Sequence, residues 1–281
     1  MSTRRRGAKD PSEPPGEERR RQDRRPRDQK PPDTLPHERT TEDERLLESV
    51  EDIRAIGTDA WRIFRIMGEF VEGFEEMSEI GKAVSIFGSA RVGPEDPIYQ
   101  RCVETARLLG EAGFAIITGG GPGIMEAANR GAKLASTPSV GCNIELPFEQ
   151  RSNDFLDVSI DFRYFFVRKT MFVKYAQAFV IFPGGYGTLD ELFEALTLIQ
   201  TNKVRDFPVV LFGSAYWKGL VDWLRGTTAA EGKIAPADLD LVLITDDPAE
   251  VARHIVRRYE GRHARDRARY DSRGVDERSG L

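Results

Sequence analysis

The chain has 281 residues, 40% hydrophobic and 31% charged, with a formal net charge of −5. That length admits one large domain or two small ones, at roughly 100–200 residues each. Lysine plus arginine number 41 against 46 acidic residues, so no general attraction for polyanions exists and no nucleic-acid partner is expected. Two cysteines cannot build a disulfide framework. No run approaches the ~18–20 uncharged apolar residues of a membrane-spanning helix, and the early arginines lead into no apolar stretch, so the expectation is a soluble cytoplasmic protein with no membrane partner.

Residues 1–40 are rich in Pro, Arg and acids and almost free of apolar side chains, so they cannot offset their ordering entropy and read as a disordered tail. From 41 to 78 apolar residues recur at spacings of three and four (Leu46, Leu47, Val50, Ile53, Ile56, then Ile63, Ile66, Met67, Phe70, Val71, Phe74), which predicts an amphipathic helical extension bent or interrupted near Gly57. Short apolar runs then alternate with helical stretches. Strands are expected at 83–88, 114–118, 139–146, 178–182, 207–212 and 241–245, with helices at 97–112, from 124, and at 164–176, 188–200, 215–230 and 247–259; an irregular polar stretch follows 146. Strand alternating with helix means a doubly wound α/β domain over 79–260, Rossmann-like, with a parallel sheet and helices on both faces. Residues 261–281 return to the composition of the first tail and read as disordered.

Two glycine-rich loops, GGGPG (119–123, including Gly120 and Gly121) and PGGYGT (183–188, including Gly184, Gly185, Gly187 and Thr188), each follow a strand and open a helix. Free amides and the partial positive charge at a helix start suit a phosphate or carboxylate there. The first loop fails the dinucleotide fingerprint, because the sixth position is Ile124 counted from Gly119 or Glu126 counted from Gly121, and neither loop is followed by Gly-Lys-Ser/Thr. Arg168 shares a helix face with Met171, Phe172 and Tyr175, where an arginine needs an anionic partner, either a ligand or a structural ion pair. Thr188-Leu189-Asp190-Glu191 has the spacing of a capping box, yet Glu191 also stands where a carboxylate would address the sugar of a ligand whose phosphate sits on the loop. Three scattered histidines and two distant cysteines form no metal cluster, and no cofactor is expected.

GGGPGIMEAANRGA (119–132), Arg168-Lys169 and PGGYGTLDE (183–191) together resemble the LOG ("lonely guy") family, cytokinin riboside 5′-monophosphate phosphoribohydrolases often mislabelled lysine decarboxylases. The resemblance covers about 80–230. It implies cleavage of the N-glycosidic bond of a nucleoside 5′-monophosphate, such as AMP or N6-isopentenyl-AMP, to free base and ribose 5-phosphate. It also implies catalytic roles for Arg168 and Glu191, a phosphate loop at Gly184, Gly185, Gly187 and Thr188, ligand contacts by Lys169, Glu149 and Thr197, and a homodimer or higher homo-oligomer with the active site near the subunit interface. The alternatives are a general AMP or nucleotide 5′-monophosphate nucleosidase, and a non-catalytic nucleotide or molybdenum-cofactor carrier on the same fold, which has no need of the Arg168–Glu191 pair. A decarboxylase is disfavoured: the histidines His37, His254 and His263 are followed by Glu, Ile and Ala, so no Ser-x-His-Lys signature for a pyridoxal phosphate lysine is present.

Overall fold

The structure, a computed structural model, describes residues 41–47, 53–146 and 151–276. The expected tail at 1–40 and Glu149 lie outside the described residues.

Six parallel pairings join seven strands in the order β4-β3-β2-β1-β5-β6-β7. They are β1 (Ala83–Phe87), β2 (Ala115–Thr118), β3 (Ser139–Ile144), β4 (Val158–Phe162), β5 (Ala176–Ile181), β6 (Val209–Phe212) and β7 (Val242–Thr245). Every residue of β1, β2, β3 and β6 is buried, as helices on both faces of a parallel sheet require. On one face, α3 (Pro97–Glu111), α4 (Ile124–Leu134) and α8 (Pro248–Asp276) close a core around Tyr99, Leu109, Phe114, Phe182 and Ile255. On the other, α5 (Phe165–Tyr175), α6 (Tyr186–Gln200) and α7 (Ser214–Trp223) cover Phe87, Phe162, Met171, Phe172, Phe179 and Trp217. The N-terminal extension joins this second core: α1 (Glu42–Leu47) precedes α2 (Ile53–Met77), whose Ile66, Phe70 and Met77 pack inward.

Several boundaries differ from the sequence expectation. The polar stretch after 146 contains β4, an edge strand that buries Ile160 and Phe162 and exposes Ser159 and Asp161. Helix α2 runs through Gly57 without a break. Helix α8 continues past Gly261 to Asp276, so residues 261–276 are helical rather than a tail. Tyr259 and His263 lie with ring centroids 4.0 Å apart, and Arg265 pairs with Asp206 at 2.9 Å, which ties the added turns to the domain. The helix expected over 215–230 is α7 followed by a π-helical stretch, Leu224–Ala229.

Candidate active site

Between β1 and β5 the strand order reverses, and ligands of such sheets bind outside the carboxyl ends at that point. A cleft of about 740 Å³ opens there. Its walls come from the segment after β1 (Gly88 to Val92), Gly119 after β2, Ile144 and Leu146 at the end of β3, Arg168 on α5, and the loop and helix start after β5 (Pro183 to Glu191).

Helix α6 begins at Tyr186 with Gly185 as its N-cap, and its first internal bond runs from the Leu189 amide to the Gly185 carbonyl at 3.0 Å. The amides of Tyr186, Gly187 and Thr188 therefore precede the helical ladder, at the positive end of the macrodipole. The loop before them is held in place: the Pro183 carbonyl accepts the Ser89 amide at 2.9 Å, and the Gly184 carbonyl accepts the Tyr216 hydroxyl at 2.6 Å. This geometry corrects the capping-box expectation. Thr188 is the third helical residue, not the cap, and Glu191 lies a full turn into the helix with its side chain in the cleft wall.

Glu191 is only 7% exposed, and its Oε2 has no hydrogen-bond partner. Its Oε1 accepts from Lys169 Nζ at 3.1 Å. Burial pushes its pKa up to about 7 against the opposing charge of Lys169. Arg168 is held by backbone: its Nε donates to the Cys142 carbonyl at 2.7 Å and its Nη2 to the Gly119 carbonyl at 3.4 Å, with the guanidinium carbon 5.1 Å from the centre of the Phe172 ring. Burial lowers its pKa from the ordinary arginine value, and among the described residues no carboxylate forms an ion pair with it. Glu191 acts on it through charge but forms no ion pair with it, so its remaining N–H donors are open to an anion. Arg91, on the segment after β1, adds a second guanidinium to the lining.

Lys169 does not line this cleft. Its ammonium sits behind Glu191 among Asp190 (2.7 Å), Glu194 (2.9 Å) and Glu191 itself. Burial alone would depress its pKa; the three carboxylates outweigh that and raise it. Gly120 and Gly121 lie behind Gly119, outside the cleft. The Gly120 amide donates to Thr118 Oγ1, and Asn153 Nδ2 donates to both glycine carbonyls at 3.0 Å. The Ile124 amide at the start of α4 is taken by the Ser89 carbonyl at 3.0 Å, and the Gly119 carbonyl of this loop faces Arg168. Thr197 is exposed two turns further along α6, bonded to the Phe193 carbonyl, and lines a separate apolar pocket with Leu196 and Leu220. Sequence reasoning missed Ser89, Arg91 and Tyr216. Their one signal is position: Ser89 and Arg91 directly follow the central strand, at its carboxyl end.

Gly119 makes a close approach possible, since a Cβ there would stand 2.3 Å from Arg168 Nη2. Gly119→Ala is expected to displace the guanidinium and lower kcat/KM at least about tenfold, with a melting temperature within a few degrees of the parent. Unaltered kinetics in that variant would detach the arginine's placement from activity.

The fold and site define a Rossmann-like α/β protein whose cleft sets the start of α6 beside a buried glutamate. A family model described as "possible lysine decarboxylase" matches residues 125–255. A cytokinin riboside 5′-monophosphate phosphoribohydrolase of Mycobacterium tuberculosis is 28% identical over 166 residues, covering 56% of this chain and 87% of that protein. Together these two matches support a place in the LOG family. A phosphoribohydrolase of the same description from Arabidopsis thaliana is 33% identical over 94 residues (33% of this chain), and a pyrimidine/purine nucleotide 5′-monophosphate nucleosidase of Escherichia coli K12 is 29% identical over 192 residues (64% of this chain). The matched segment spans 41% of the length of each of these two relatives. Among solved structures, the Moco carrier protein of Chlamydomonas rheinhardtii matches with a TM-score of 0.48 and 21% identity, over 64% of this chain and 98% of that one.

The decarboxylase description implies pyridoxal phosphate on a lysine, and the residues here do not fit it. Among the described residues no lysine lines the cleft, and Lys169, behind its wall, is held as an ammonium by three carboxylates rather than as a free amine.

Proposed function

We propose that the cleft hydrolyses the N-glycosidic bond of nucleoside 5′-monophosphates. The observation that carries this reading is Glu191, a buried carboxylate with one unpartnered oxygen in the wall of a cleft that otherwise offers an anion site. The 5′-phosphate sits on the α6 amides with Arg168 beside it, and this binding energy positions C1′. The C1′–N bond breaks with its electron pair leaving on the base nitrogen, and the Glu191 carboxylate stabilises the positive charge that develops on the sugar. Water adds to C1′ and gives its proton to Glu191, which passes it on to the departing base; base and ribose 5-phosphate leave. The names of the relatives from Mycobacterium and Escherichia support the same reaction class.

The test is chromatographic measurement of free base released from AMP and N6-isopentenyl-AMP, with adenosine and ATP as controls. Release from monophosphates alone supports the reading, and the ratio between the two substrates separates cytokinin activation from general nucleotide cleavage. No base from any of them, with AMP still bound by calorimetry, would replace the enzyme by a carrier.

The protonation of Glu191 sets the pH profile. A carboxyl whose pKa is raised to about 7 holds its proton below that value, so the ionised form that the reaction needs is lost as pH falls. Activity is expected to rise through an acid limb near pH 7 to a plateau, with about one tenth of the plateau rate one unit below the midpoint. A limb near pH 4 would place Glu191 in a wetter setting than its burial allows.

We further propose self-association through α2. Trp61, Phe64, Met67 and Val71 form an exposed apolar stripe along it, with Arg62 and Arg65 towards one end and Glu72, Glu75 and Glu76 towards the other. An antiparallel pairing of two copies covers the stripe and sets basic ends against acidic ones. Light scattering at micromolar concentration is expected to show a dimer or larger, reduced to smaller species by the double change Phe64→Glu and Met67→Glu; a monomeric parent would sink this.

A further inference from the structure

Helix α5 carries both Arg168 and Lys169, yet its N-cap, Tyr164, supplies no side-chain cap. Carboxylates from the N-terminal extension fill that role. Glu69 on α2 accepts the Arg163 amide at 3.2 and 3.1 Å through its two oxygens and the Tyr164 amide at 3.4 Å. Asp43 on α1 accepts the Phe165 amide at 3.2 Å. The Arg168 amide in turn donates to the Tyr164 carbonyl at 3.3 Å, so Tyr164, whose own amide Glu69 accepts and whose following peptide Asp43 holds, is joined directly to the arginine's backbone.

Glu69 is 5% exposed, with the Arg163 guanidinium 3.8 Å away, and burying a carboxylate in a mostly apolar helix interface is costly unless its hydrogen bonds compensate. The same interface is close along its length. A Cβ at Gly73 would lie 2.9 Å from the Met171 side chain, and the Tyr175 hydroxyl donates to the Phe74 carbonyl at 3.1 Å. Glu69 therefore stands over the first turn of α5 while the rest of α2 fixes the helix axis.

We infer that Glu69 is a positioning residue for the reaction: by fixing the first turn of α5 it sets Arg168 and Lys169 against Glu191. The inference rests on the phosphoribohydrolase reading of the cleft. It makes the extension, which lies outside the motifs shared with the family, a working part of the site.

The groups that face Glu191 are Arg168 and Lys169 from α5, and Asp190 and Glu194 from α6. Only the first two depend on the cap, so loosening it removes positive charge from Glu191 and leaves the acids in place. In full-length Glu69→Ala, kcat is expected to fall about 10–100-fold with little change in KM, and the acid limb of the pH profile to move upward. Hydrogen exchange of the 165–169 amides should speed up. Glu69→Gln, which keeps an acceptor oxygen, should recover most of the rate. Leu109→Ala, in the opposite core, supplies a comparably destabilised control and should leave the limb where it is.

An unmoved limb with kcat within twofold of the parent overturns the inference, as does the same shift in Leu109→Ala. Should the parent release no base at all, the reading of the cleft fails separately. Exchange then decides the cap, and unchanged exchange in Glu69→Ala overturns it.

Discussion

Glu191→Gln is expected to lower kcat by about 10²–10⁴-fold while KM changes little. The amide keeps the shape of the side chain and an acceptor for Lys169 Nζ, so the cleft and its phosphate contacts persist. What disappears is the negative charge beside C1′ and the ability to take a proton from water, both of which matter in the transition state rather than in the bound ground state. The raised pKa of the parent sharpens the comparison. Below pH 6 the parent is itself mostly protonated, so the gap between parent and variant should narrow as pH falls and widen towards pH 8. Steady-state kinetics on AMP across that range checks both statements, and near-parental turnover at pH 8 would remove Glu191 from the chemistry.

Arg168→Lys should cost about 10²–10³-fold in kcat/KM although the charge is conserved. The guanidinium is anchored on one edge by the carbonyls of Cys142 and Gly119 and lies over Phe172, and its remaining face is in the cleft. An ammonium can satisfy the carbonyls or reach the ligand, but its single nitrogen does not do both. Weaker binding of ribose 5-phosphate, read by calorimetry, should accompany the kinetic loss. A variant within fivefold of the parent on both measures would mean that the α6 amides alone hold the phosphate.

The strands were legible because a parallel sheet covered on both faces writes itself as uninterrupted apolar runs such as AVSIF and FPVVLF. Edge strand β4 lacks that signature: Ser159 and Asp161 face outward, and a five-residue alternation bordered by polar residues reads as loop. The length of α8 was hidden for a related reason. Half of residues 261–276 are charged and few are apolar, and partners such as Asp206 lie more than 50 positions away. At the site, Arg168 and Glu191 were recognisable from their motifs. The destination of Lys169 was not, because it depends on three acids from another helix, nor was the closure of the GGGPG loop by Asn153 and Ser89. Local spacing reports which residues share a face; it carries no information on which distant group reaches them first.

The docking of α2 on α5 and β4 also has a consequence for how the protein is made. Glu69 and the Arg163 amide that it caps are 94 positions apart, so α2 leaves the ribosome well before the elements that cover it. At ordinary synthesis rates the delay is about 5–20 s, far longer than a helix needs to form. During that interval the helix has two unsatisfied apolar sides, the one that ends against Met171 and Phe162 and the one that carries Trp61 and Phe64. Until α5 and β4 emerge, the incomplete chain therefore carries uncovered apolar surface, the condition under which aggregation competes with folding.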